Sequence, residues 1–433
     1  MNNLKQQVFD YIDSLSAELF SLGEKLFNSP ELGFKEQQTR SIMLEKIQQL
    51  EQVSLRDNLA ITGFSTTRIN PHAKRTIALL AEMDAVFQPQ HFCAAKDGAS
   101  HCCGHDSQMV IMYAAFKTLL HLGLDLPVNL RLMFTPAEEF LDLDYRLELR
   151  QNGAIQALSG KQELLARGEF KDVDLVIASH SLGGNPDLDF DLGTNLAGFI
   201  IKRAKFIGKA AHAGAAPESG INALNAANLA MSAIAYQRET FADSEHIRVS
   251  PVLKSANWSA NVIPAEAELE MYIRAASVEA IEQTATKVDA CLQGAAHAIG
   301  CKLEINNLMG YLPLRQHPRL TQISLANAQQ LVPATRILND GGLVAASGDI
   351  GDLSLLMPTI QIGYGGYQGA IHGVDFKVAR PEQLYLTSAK LVVATVLDLI
   401  ANDAELTTQI CEEFVAMSPT EYLDLIARLS HAS

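Results

Sequence analysis

Three apolar runs of strand length each end in residues that carry chemistry, and this repetition constrains the fold more than any other feature. Thr76–Ala81 leads to Asp84, Asn129–Phe134 leads through Thr135-Pro136-Ala137 to Glu138-Glu139, and Leu175–Ser179 leads to His180. Continuous apolar strands suit a sheet covered on both faces, which is usually parallel. In open parallel sheets, ligand sites gather outside the carboxyl ends of the strands. Taken singly, an acidic turn is more often solvated and a lone strand-end histidine is more often structural. Three in succession place Asp84, Glu138, Glu139 and His180 along one sheet edge.

Between the first two strands lies His101-Cys102-Cys103-Gly104-His105-Asp106. Six residues hold two imidazoles, two thiols and a carboxylate, a donor set that binds a metal or stabilises a thiolate. Met109, Met112, Phe116 and Leu119 then recur at helical spacing, with Asp106 or Ser107 available to cap the first turn. The loop therefore sits on a helix N-terminus, which favours a thiolate. A buried free thiol pair beside satisfied histidines explains the loop alone equally well, so the distant strand ends decide.

The chain of 433 residues is too long for one ordinary core, which predicts two domains. A helical stripe covers 4–28, with Ser29-Pro30 as its stop, and a second helix runs to about Leu50. Ala60–Phe64 reads as a weak strand. From about Ala197 the order becomes strand, helix (220–236), strand, strand, helix (278–299), strand (302–306), the split βαβ pattern of a small α+β domain. The expectation is an α/β protein: a mostly parallel-sheet domain over 1–196 and 308–433, with a ferredoxin-like insertion over 197–307. The returning segment carries a strand at 359–363, a glycine-rich loop ending in His372, and a closing helix at about 381–401. No phosphate-cradling loop or GxGxxG appears, which argues against a nucleotide cofactor.

A formal net charge of −15 argues against nucleic acid and anionic membranes as partners. We read no signal peptide and no apolar run of about 18 residues that would span a bilayer. The six cysteines form no CxxC pair, as expected for reduced thiols in the cytoplasm.

With Cys103, His105, Glu139, His180 and His372 as ligands, five donors exceed one tetrahedral zinc with an open position. They suit two divalent ions with a shared ligand, which would polarise a carbonyl and activate water. Glu138, left unligated beside Glu139, is placed to take a proton from that water and deliver it to a leaving amine. The reaction class is amide or peptide hydrolysis.

These residues resemble the metal-dependent aminoacylase/carboxypeptidase-G peptidase family, in the amidohydrolase branch that includes hippurate, indole-acetyl-amino-acid and p-aminobenzoyl-glutamate hydrolases. The resemblance rests on an ordered set: Glu31-Leu32-Gly33-Phe34, Ala81-Glu82-Met83-Asp84-Ala85, the 101–106 loop, Pro136-Ala137-Glu138-Glu139, His212–Pro217 and Asn261-Val262-Ile263-Pro264. It implies a thiolate of Cys103 bridging two ions, with zinc or manganese the leading metals and cobalt open. His105, Glu139, His180 and His372 would complete the ligands, Glu138 would be the general base, and Asp84 would orient a ligand from behind. The insertion would be a lid and homodimerisation domain. His212 would help hold the scissile carbonyl or a substrate carboxylate, and Asn261 and Arg274 are candidates for the carboxylate; a surface charge explains Arg274 equally well. The implied substrate is a small N-acyl amino acid, an aminobenzoyl-glutamate-like compound or a dipeptide. Cys102 and Ser107-Gln108 depart from the family's usual residues, and the Val86–Ser100 stretch is longer and of different composition. A non-catalytic metal-binding homologue, or a cysteine hydrolase using Cys103, are the competing readings.

Overall fold

The computed structural model describes residues 2–123, 126–254 and 259–430. The chain forms two compact units. The first runs to Asn195 and resumes over Arg315–Gly342 and Asp352–Ala416; the second holds Leu196–Leu314 and Leu343–Gly351 and resumes at Met417. Two-residue strands aside, the strands in chain order are β1 (Ser54–Leu59), β2 (Gly63–Arg68), β3 (Thr76–Glu82), β4 (Asn129–Thr135), β5 (Leu175–Ser181) and β6 (Phe190–Leu192), then β7 (Gly198–Ile207), β8 (Arg248–Leu253), β9 (Glu266–Ala275) and β10 (Lys302–Tyr311), then β11 (Ile337–Asn339) and β12 (Thr359–Tyr364).

The first unit is built on one eight-stranded sheet in the order β1-β2-β4-β3-β5-β12-β6-β11. Its centre, β4-β3-β5-β12, is wholly parallel. The flanks bring antiparallel pairings at β1/β2, β2/β4 and β12/β6. Every residue of β3 is buried, as its unbroken apolar run requires. The helix His105–His121 packs on β3, and Ser388–Glu413 packs on that helix. Because β4, β3 and β5 are adjacent and parallel, Glu138 and Asp84 follow neighbouring carboxyl ends and His180 lies within the last two residues of the third.

Several local expectations are corrected. The weak strand expected at Ala60–Phe64 is mostly a turn between β1 and β2, because Ala60 and Ile61 take φ of 47° and 73°, outside any strand conformation. The single helix expected over 4–28 is two, Asn2–Ser14 and Ser16–Phe27. The closing helix opens with a π-helical turn, Glu382–Thr387, and leaves helical geometry at Ala401–Ala404 before continuing to Glu413. Glu382–Glu413 is also long and apolar enough to cross a membrane, contrary to the expectation of no such run; 78% of its apolar window is buried, as in a core helix.

The second unit is a four-stranded antiparallel sheet in the order β8-β9-β7-β10, carrying the helices Ala223–Gln237 and Val278–Ile299. This is the split βαβ arrangement. Its bounds differ from 197–307. β10 stays paired with β7 as far as Tyr311, five residues beyond the expected strand end at 306. Leu343–Gly351 joins the unit through Ala197 N, which donates to the carbonyls of Val344 and Ala346 at 3.0 Å each. The helix Pro419–Leu429 joins it through Arg428 and Glu282. Leu343–Gly351 has no apolar periodicity, and the stripe Tyr422, Leu425 and Leu429 of the last helix marks a buried face without saying which unit it packs on.

The buried β3 makes a direct test. Leu79→Ala empties a site with no exposed surface and is expected to cost about 2–5 kcal/mol in the chemical unfolding of the first unit. A cost under about 1 kcal/mol would mean that β3 is not covered on both faces.

Candidate metal centre

The ligand loop is shaped by one glycine. Gly104 has φ of 92°, and a Cβ there would stand 2.7 Å from Ser181 Cβ. A glycine lets the loop cross closely over the end of β5. Ser181 Oγ donates to Cys103 O at 2.6 Å, and Tyr364 OH donates to Gly104 O at 3.0 Å. Gly104 itself is the N-cap of the helix, with no side-chain cap. Asp106 and Ser107, the expected caps, are engaged elsewhere: Tyr367 OH donates to Asp106, and Ser107 Oγ donates to Gly104 O.

The structure brings Asp84, Cys103, His105, Glu138, Glu139, His180 and His372 together. His105 Nδ1 lies 2.9 Å from Asp84 O, and His180 Nδ1 lies 2.9 Å from Ser181 O. A carbonyl only accepts, so Nδ1 is the donor in both rings and Nε2 faces the cluster. Cys103 Sγ is 3.5 Å from His180 Nε2, and His372 Nε2 is 3.2 Å from Glu139 Oε1. The ligand atoms of Cys103, His105 and His180 lie within 4.8 Å of one another, as do those of Cys103, Glu139 and His372. The two triads share Cys103. Glu82, His105 and Glu138 form a third such group.

Charge at the cluster is concentrated. Burial works against ionisation of Glu139, but the hydrogen bond from His372 and the two imidazoles nearby hold it at about 2. Burial likewise opposes the Glu82 carboxylate, but Lys161, His105 and His180 bring it down to about 2. Burial and the Glu139 charge push the Cys103 thiol well up, against the pull of His105. Burial lowers His180. It disfavours the His105 imidazolium as well, but Cys103, Glu82 and Asp84 outweigh it and raise His105 well above the ordinary imidazole value. Burial keeps His101 neutral, down at about 3.

The residues fit divalent ions. His105 Nε2 is buried without a hydrogen-bond partner, although three carboxylates lie within 4.0 Å of it. A buried imidazole nitrogen in a cluster with a thiol, two further imidazoles and several carboxylates is the donor chemistry of a zinc-type or manganese-type cation, which would replace the proton that His105 otherwise holds there. Support from behind is present too, since Asp84 backs His105 and a carbonyl backs His180.

The turn carrying the two glutamates is held by groups that the sequence reading did not single out. Ala137 has φ of 52°. Its N–H donates to Glu36 Oε1 at 2.8 Å, and Glu139 N–H donates to Asp84 Oδ2 at 2.8 Å. Thr62 Oγ1 donates to the other oxygen of Glu36 at 2.6 Å. Lys161, buried, donates to Glu82 Oε1 at 2.5 Å, and Gln108 Nε2 donates to Glu82 Oε2 at 2.7 Å. Glu82 had a signal, a second carboxylate at the end of β3. Lys161 and Glu36 had none, because charged residues in unpatterned or helix-start sequence are ordinarily solvated.

The Val86–Ser100 stretch packs against the His372 loop: Gln88 Nε2 donates to His372 O at 3.0 Å, and His91 Nε2 lies 2.7 Å from Phe376 O. Phe87 and Phe92 on it are exposed. The other three sequence candidates lie in the second unit. His212 accepts from Gly214 and Ala215 N–H through Nδ1 and bridges to Val262, while Asn261 O accepts from Ala213 N–H, so His212 and Asn261 lie on two segments joined by main-chain pairing. Arg274, the last residue but one of β9, donates to Ser347 Oγ at 2.8 Å and stands over the rings of Phe199 and Tyr272.

Glu36 yields a prediction. Burial, with the Asp84 charge, raises its carboxyl from 4.5 to about 8. The folded chain then holds this proton more tightly than the unfolded chain, so its share of stability is lost as pH rises from about 4.5 towards 8. Glu36→Gln keeps an acceptor for Ala137 and a partner for Thr62. The melting temperature of the variant should fall less than the parent's between pH 5 and 8, and parallel curves would count against the shift.

The family model described as "Peptidase family M20/M25/M40" matches residues 78–398. The mouse Xaa-Arg dipeptidase is 27% identical over 423 residues, which span 93% of this chain and 90% of the relative. The hippurate hydrolase of Campylobacter jejuni is 26% identical over 315 residues, 70% of this chain and 75% of the relative. Among solved structures, the Bacillus subtilis YXEP protein, described as a dinuclear metal binding peptidase of the M20 family, superimposes with a TM-score of 0.69 at 21% identity, covering 90% of this chain and 99% of that one. The strand-end carboxylates, the His/Cys loop and the order in which they occur all fall within the matched segment apart from the early turn, and the chain belongs to peptidase family M20/M25/M40, a family of amide- and peptide-bond hydrolases.

Proposed function

We propose that the protein is a dinuclear metal-dependent amidohydrolase that cleaves the amide bond of an N-acyl amino acid, an aminobenzoyl-glutamate-like compound or a dipeptide. The observation that carries this reading is the pair of triads sharing Cys103, with Glu138 beside them. Cys103, His105, Glu139, His180 and His372 would hold two divalent ions, zinc or manganese with cobalt as a third choice, which would supply polarisation of the scissile carbonyl and a lowered pKa for the attacking water. Glu138 takes the proton of that water and returns it to the leaving amine. Its Oε2 lies 3.9 Å from His105 Nε2, within the cluster. Asp84 fixes the His105 tautomer from behind.

The substrate class follows the relatives' names, which include Xaa-Arg dipeptidase, hippurate hydrolase and p-aminobenzoyl-glutamate hydrolase. In this reading His212, Asn261 and Arg274 hold the substrate carbonyl and carboxylate, and the second unit serves as lid and homodimer contact. The substrate is a small molecule in the cytoplasm, and neither nucleic acid nor a membrane is a partner. A cysteine hydrolase is the weaker reading, because burial and Glu139 push the Cys103 thiol up, away from the thiolate such an enzyme needs.

The test is metal content beside hydrolysis of a panel of N-acyl amino acids, aminobenzoyl-glutamate and dipeptides. About two ions per chain are expected, with activity lost to a chelator and restored by manganese or zinc. Glu138→Gln should keep both ions and lose about 10²–10⁴-fold in kcat, whereas Cys103→Ser should lose metal as well. Parental turnover in Glu138→Gln would remove the general base, and a reduced protein that binds no added metal would remove the ligand assignment.

A further inference from the structure

The helix Leu143–Gln151 buries one residue fully, and that residue is an arginine. A surface helix ordinarily buries an apolar stripe. Here Leu143, Tyr145, Leu147 and Leu149 are half-buried, and Arg146 is 1% exposed. Its Nη1 donates to Leu158 O at 2.7 Å and Ala137 O at 3.2 Å, and its Nη2 donates to Glu139 O. The rings of Phe34 and Phe140 flank it, 5.5 and 5.4 Å from Cζ. Two of the three carbonyls bracket Glu138.

The same turn is held from its N–H side by Glu36 and Asp84. Ala137 keeps its left-handed φ of 52° between these two sets of contacts, a conformation an alanine holds only where its surroundings impose it. Gly33 belongs to the arrangement. A Cβ there would stand 2.7 Å from Arg146 Nη2 and 2.8 Å from Ala137 Cα. The helix is moored beside the site by Lys35, whose Nζ lies 2.7 Å from Asp142 Oδ2 and 4.2 Å from the centre of the Tyr145 ring.

We propose that Arg146 is a positioning residue: its guanidinium clamps the Ala137–Glu139 turn so that Glu139 reaches the Cys103–His372 side of the cluster while Glu138 stays at His105. The proposal deepens the amidohydrolase reading and rests on it for the role of Glu138. A planar fork suits three carbonyls spread around it, and an ammonium on a flexible stem does not.

The experiment compares Arg146→Met and Arg146→Lys with the parent in thermal unfolding, cobalt(II) affinity, cobalt absorption spectrum, kcat and KM. Arg146→Met should unfold cooperatively, lose about 10–100-fold in kcat and in affinity for the second cobalt ion, and keep KM within about threefold. Its cobalt spectrum should shift, because Glu139 no longer approaches from the same side. Arg146→Lys should resemble Arg146→Met more than the parent. Arg146→Met with parental kcat, cobalt affinity and spectrum overturns the clamp, even if its melting temperature falls, since that is packing alone. Should Arg146→Met fail to fold, Arg146→Lys decides by the same readouts, and parental values there overturn the proposal. If the parent hydrolyses nothing in the panel, the amidohydrolase reading fails by itself, and the cobalt affinity and spectrum still judge the clamp.

Discussion

One buried carboxylate, Asp84, ties together the three segments from which the site is made. It sits just past the end of β3, receives the N–H of Glu139 from the turn after β4, and stands behind the His105 ring at the start of the central helix. Each of these segments is held rigidly for its own reasons: the strands by the parallel ladder, the helix by burial all round. Asp84 converts three separately stable elements into one constellation. This is why the ligand atoms can lie within a few ångström although the residues are spread from 84 to 372.

The cluster gathers more negative charge than a protein interior ordinarily tolerates. Burying an ionised carboxylate is costly unless it is paired or hydrogen-bonded. Glu82 is answered by Lys161 and Gln108, and Glu139 by His372. Glu36 is met by a hydroxyl and a main-chain N–H rather than by a cation, and its carboxyl shifts upward instead. The chain thus uses both routes open to a buried acid within one site: pairing where the charge is wanted, and protonation where only the hydrogen bonds are wanted.

The parts legible in the sequence were those with a pattern or a dense motif. Apolar runs located β3, β4 and β5, and the residues after them located the edge where chemistry gathers. The His/Cys loop located Cys103 and His105, and the helix expected at about 278–299 spans Val278–Ile299. The supporting residues were not legible, for a physical reason. Lys161, Glu36 and Arg146 are long charged side chains whose default place is solvent, and only the tertiary structure removes them from it. Leu343–Gly351 is attached by main-chain hydrogen bonds at Ala197 and by the polar contact of Arg274 with Ser347, neither of which leaves a mark on apolar pattern. Ala60 and Ile61 were read as strand because propensity carries no information on a left-handed turn in residues that seldom make one.

The division into units has a consequence for how the molecule is made. The chain leaves one unit for the other after Asn195, Leu314, Gly342, Gly351 and Ala416. His372 therefore emerges from synthesis only after the whole ferredoxin-like sheet. The set Asp84, Cys103, His105, Glu139 and His180, complete at residue 180, waits a further 192 residues for His372, and β12, which fills the gap between β5 and β6, precedes His372 only by a loop. A nascent chain therefore carries this cluster incomplete, on an unfinished sheet, until β12 and the His372 loop have been made.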